Sequence, residues 1–65
     1  MTRTYHTVCV LEDGQWFDEF GSYSLAEAKA EAAEMRWSRK RGTVKVISHV
    51  DTAAAMMAAR DALPK

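Results

Sequence analysis

The sequence predicts a single α+β domain, residues 1–65, of order β-β-α-β-α: a three-stranded antiparallel sheet, a long helix on one face and a short C-terminal Ala/Met-rich helix. Three observations predict it. A β-rich run closes on Asp13-Gly14, a stretch free of Gly and Pro follows a capping signal at Ser24, and Val44, Val46 and Val50 alternate with polar residues. A chain of 65 residues buries little more than half of its unfolded surface and supports one core.

Tyr5 to Leu11 carries Tyr, Thr, two Val and Leu, which favour a strand, and Asp13-Gly14 supplies the positive φ values of a tight hairpin. Trp16 to Tyr23 is the returning strand, aromatic at Trp16, Phe17, Phe20 and Tyr23. Two registers are open. A two-residue loop puts Trp16 and Phe20 on the side of Leu11, Cys9 and Thr7, whereas a bulged loop puts both rings beside Val8 and Val10. The bulged form is expected, because it gathers the aliphatic residues with both large rings.

Ser24-Leu25-Ala26-Glu27 has the capping-box form, in which the Ser24 hydroxyl accepts from the Glu27 amide. Nothing in the composition breaks the helix before Gly42, and Arg36, Arg39, Lys40 and Arg41 suit the negative end of its dipole. Thr43 to Val50 is the third strand. Asp51 or Thr52 can cap a last helix, Ala53 to Leu63. A crossover from the second strand lays the third beside the first, so the first strand is expected at the centre, as its Val8-Cys9-Val10-Leu11 run, apolar on both sides, also requires. The sequence has no repeat, low-complexity tract or linker.

Composition narrows function. Nine Lys and Arg against nine Asp and Glu leave no net charge to drive non-specific binding to nucleic acid or anionic membranes. No stretch approaches the roughly 18 apolar residues of a membrane span, and the start of the chain carries no apolar leader, so a soluble, cytoplasmic protein without a membrane partner is expected. The lone Cys9 points to the same reducing compartment. One Cys and two isolated His fall short of a zinc site, the three glycines are scattered, and no cofactor or metal is expected. His6 and Cys9, three apart on a strand, face opposite ways and make no nucleophile-base pair. The chain is not expected to be an enzyme.

Binding surfaces are sought on the long helix, where successive residues step about 100°. Leu25, Ala28, Ala32 and Met35 form the stripe expected to face the core. Glu27, Glu31 and Glu34 form an acidic stripe without cations at helix spacing; with Asp18, Glu19 and Trp37 it is the expected contact for a protein partner. Ala26, Ala30, Ala33 and Trp37 form a second apolar stripe. The final helix is its expected cover, and a contact with a second chain is the alternative. The cluster Arg36, Arg39, Lys40 and Arg41 is the alternative, a nucleic-acid contact, ranked behind a protein partner because such cations also dress an ordinary helix end. Self-association through the Ala/Met helix, as a homodimer, is a third expectation.

The hairpin of Glu12-Asp13-Gly14-Gln15-Trp16, the Phe20-Gly21-Ser22-Tyr23-Ser24 entry into a helix, and Gly42-Thr43-Val44-Lys45-Val46 give the chain the organisation of the small α+β proteins of phages and other mobile elements. It resembles, in size and order, the anti-CRISPR inhibitors among them. That resemblance implies a stoichiometric inhibitor that occludes a surface of a host nuclease complex.

Overall fold

The computed structural model describes residues 2–39 and 42–65. Its elements run β1 (Thr4–Glu12), β2 (Gln15–Ser22), α1 (Leu25–Arg36), β3 (Val44–Val50) and α2 (Ala53–Asp61). The strands form one antiparallel sheet in the order β2-β1-β3, so β1 is central. Thr7, Val8, Cys9 and Val10 are buried in succession along it, which requires cover on both faces.

The hairpin combines features of both expected registers. Asp13 and Gly14 form a two-residue loop with φ of 51° and 76°, the left-handed values a right-twisted hairpin needs, and Leu11 pairs with Trp16. The bulge lies farther along: Cys9 pairs with Asp18 but Val8 pairs with Phe20, leaving Glu19 as an extra residue. Side chains alternate along a strand, so this one insertion separates the two rings. Trp16 stays on the Cys9 side while Phe20 crosses to the Val8 side. The expectation that both rings join Val8 and Val10 is therefore corrected for Trp16.

α1 packs on the Val8 face. Ala28 and Ala32 meet Val8, Val10 and Val44, with Phe20, Met35 and Val46 packed around them. The alanines are small enough to bring the helix close to the strands. The Ser24 cap forms as expected, its Oγ accepting from the Glu27 amide at 3.2 Å. The helix stops earlier than composition indicates. After Arg36, Trp37 and Ser38 donate to the Glu34 and Met35 carbonyls in tightened turns, and the Ser38 hydroxyl also donates to the Met35 carbonyl, competing with the helical ladder.

α2 covers the opposite face, not the second stripe of α1. Trp16 Nε1 donates to the Pro64 carbonyl at 3.0 Å and Arg60 pairs with Asp18 at 3.0 Å, both from the Cys9 side. The sheet separates the two helices, which corrects the expectation that the final helix shields Trp37. The reason is the demand of β1: a strand buried on both faces needs a second cover, and α2 supplies it. Thr52 caps α2, accepting from the Ala55 amide at 3.1 Å.

Candidate functional site

The layering leaves the outer face of α1 without a neighbour among the described residues. Ala28 and Ala32 point into the core, so Ala26, Ala30 and Ala33 lie on the far side, exposed in a row. Trp37 extends that row. It has left the hydrogen-bonded helix but keeps helical dihedrals, φ −63° and ψ −34°, so its side chain continues the same spiral, and it is 91% exposed. A Trp almost wholly in water keeps a large apolar area solvated, which a self-contained fold normally avoids.

Charges flank the row unequally. Glu27 and Glu34 lie along one side, with half-buried Glu31 behind them, and Lys29 and Arg36 lie along the other. No ion pair among the described residues engages the three glutamates or Lys29. Arg36 instead donates to the Val44 carbonyl at 3.0 Å, and Arg39 is paired with Glu12 at 2.6 Å, which ties the end of the helix to the hairpin. Two members of the basic cluster thus serve internal contacts; Lys40 and Arg41 lie outside the described residues. The hairpin acids diverge too. Asp18 turns to α2 and its ion pair with Arg60, while Glu19 is the exposed residue of the bulge, on the sheet rather than the helix. The structure therefore keeps Glu27, Glu34 and Trp37 on one surface and sets Asp18 and Glu19 apart from it.

The second face of the sheet holds a cleft of about 430 Å³ between the start of α2 and the open end of the sheet. Tyr5 and Tyr23 meet edge to face there, centroids 4.7 Å apart, and the Arg3 guanidinium lies 3.9 Å over the Tyr23 ring. Tyr23 donates to Asp51 at 3.0 Å, which holds its phenol above the ordinary range. His49 Nδ1 lies 2.7 Å from the Val50 carbonyl, which can only accept, so Nδ1 carries a proton; in the neutral ring Nε2 then accepts from the Thr7 hydroxyl at 2.7 Å. His49 is thus engaged with Thr7, not Cys9. Cys9 is fully buried, and burial above all pushes its thiol up to about 11, with Asp18 adding to the effect and Arg60 opposing it. His6 faces the α1 side, 2.7 Å from Ser48 Oγ, as the strand parity requires. Every buried side-chain nitrogen and oxygen among the described residues has a partner.

Sequence reasoning did not find this cleft. Its one legible sign was Gly21, a glycine inside a strand, which marks a close approach by another group. No helix is long and apolar enough to cross a membrane, and no trio of His, Cys, Asp or Glu is placed to hold a metal ion, both among the described residues. No protein-family model, curated protein or solved structure matches this chain.

Proposed function

We propose that this chain is a non-enzymatic protein-binding module whose contact surface is the outer face of α1, and that it acts by covering a surface of a larger macromolecular complex in a reducing cytoplasm. The observation that carries this reading is Trp37, 91% exposed at the end of the exposed Ala26, Ala30, Ala33 row, on a helix whose other face already fills the core. Trp is the residue most characteristic of binding hot spots, because one side chain removes a large apolar area from water on docking. The acids Glu27, Glu31 and Glu34 beside it, which form no ion pair among the described residues, favour a partner with a positive surface and accelerate the encounter at low salt. Occlusion of a nuclease complex, the mode of the phage inhibitors the sequence resembles, is a task of this kind: such complexes carry basic grooves.

Binding to nucleic acid ranks second, because Arg36 and Arg39 are held by Val44 and Glu12. The test is capture from a host lysate with immobilised wild-type chain, Trp37→Ala, and a triple variant with Glu27, Glu31 and Glu34 changed to Lys. Trp37→Ala is expected to lose the captured proteins while melting as the wild type does, and the triple variant to capture less, with weaker dependence on salt. Identical capture by all three, or a DNA mobility shift abolished by Arg39→Glu, would overturn the reading.

A further inference from the structure

The outer face of α1 has the pattern of a short coiled-coil seam. Ala26, Ala30, Ala33 and Trp37 are spaced four, three and four, the alternation of the d and a positions of a heptad. On that numbering Glu27 and Glu34 fall at e, Lys29 and Arg36 at g, and the buried Ala28 and Ala32 at f and c, on the side turned away. A seam facing water, an inward-facing opposite side, and flanks of opposite sign are what pairing between two helices requires.

We propose that the occupant of this face is a second copy of the chain, with the two α1 helices side by side and parallel. The inference rests on the reading of this face as a protein-binding surface and gives it an occupant in the free chain, one that a larger partner would displace. Charge decides both the partner and the direction. A two-fold axis running along the helices sets the acidic flank of each copy against the basic flank of the other, and Lys29 at g then meets Glu34 at e five residues on in the second copy, twice by symmetry. A two-fold axis across the helices would set Glu27 against Glu34 and Lys29 against Arg36, like against like. The alanines allow close approach along the seam, and the two Trp37 rings meet at its end, where a large pair does not hold the helices apart along their length. Among the described residues nothing obstructs this, since the sheet and α2 all lie on the other side of α1. The seam is short. Twelve residues span about 18 Å, so the contact falls in the small, weak class of interfaces below roughly 1,200 Å², and pairing depends on concentration.

The experiment is the solution mass by sedimentation equilibrium from about 10 µM to about 1 mM, a range suited to a small interface. The wild type is expected to rise from 7.3 kDa toward twice that mass. Lys29→Glu alone and Glu34→Lys alone should each stay monomeric, the doubly swapped chain should pair again, and an equimolar mixture of the two single variants should pair although neither does alone. Both side chains changed, Lys29 and Glu34, are exposed, so folding survives the changes, as circular dichroism will register. Met57→Glu, on the exposed side of α2, should leave pairing unchanged, whereas a seam on α2 would lose it. Three results would overturn the proposal: a wild type monomeric throughout, a Lys29→Glu variant that pairs more tightly, which would mark an antiparallel contact, or loss of pairing with Met57→Glu. A monomer that still captures a lysate protein in a Trp37-dependent way refutes the second copy and leaves the function reading intact; a monomer with no such capture refutes both.

Discussion

Gly21 shows how one atom governs the second face of the sheet. A Cβ built there would lie 2.5 Å from Tyr5 Cε2 and 2.6 Å from its hydroxyl, so the ring lies flat over backbone that only glycine leaves bare. Gly21→Ala should cost about 1–3 kcal/mol in urea unfolding and less in a Tyr5→Ala background, since the clash goes with the ring. Gly14 has open space around it but a φ of 76°, so its constraint is conformational: Gly14→Val should destabilise by about 1 kcal/mol or more. Ser24→Ala, which removes the acceptor for the Glu27 amide, should cost about 1 kcal/mol. Cys9 gives a dependence on pH. Its folded thiol ionises only near 11, above the ordinary 9.0, so the folded state keeps the proton that the unfolded chain releases. The contribution is fully present below pH 9 and is lost as pH rises toward 11. Unfolding curves of wild type and Cys9→Ala should therefore differ most below pH 9 and converge above it, and alkylation of the native thiol at pH 8 should be far slower than that of the unfolded chain.

The elements were legible in the sequence because each carried a local signal; their destinations were less so. The Asp13-Gly14 loop, the Ser24 cap and the alternation of Val44, Val46 and Val50 fixed element types and order. The bulge at Glu19 had none, because an extra residue in a strand looks like any other polar residue until pairing shows it, and it decides which face Phe20 joins. The destination of α2 was legible in principle: the apolar run of β1 already demanded two covers, a stronger requirement than an Ala stripe on α1. At this scale the decisive prediction is Trp37→Ala. A Trp beneath a helix would cost 3 kcal/mol or more on truncation, as core aromatics do. Exposed as it is, the substitution should move stability by no more than about 0.5 kcal/mol, measured at a concentration where the chain is monomeric. Trp16→Phe, by contrast, should loosen the end of the chain, because it removes the donor to Pro64.

The whole molecule is a slab 37 by 23 by 13 Å, a sheet with one helix on each face, and its largest fully buried side chains are Val8, Val10, Val44 and Cys9. With so little volume buried, a modest loss of packing is a large share of the total stability. The sheet is open at both edges, and the two differ. β2 is kinked by the Glu19 bulge, where Asp18 and Glu19 are adjacent, before its pairing resumes at Phe20, and a kinked acidic edge resists extension. β3 pairs with β1 through seven unbroken positions from Val44 to Val50, and its sequence, VKVISHV, is β-prone with one charge. Aggregation from a partly opened chain should therefore grow from β3 and not from the hairpin. A charge added at exposed Ser48, as Ser48→Lys, should lengthen the lag of thioflavin-positive fibril growth on mild heating, while Glu19→Gln, which keeps the kink, should change it little; equal effects would show that the asymmetry of the edges does not govern fibril growth.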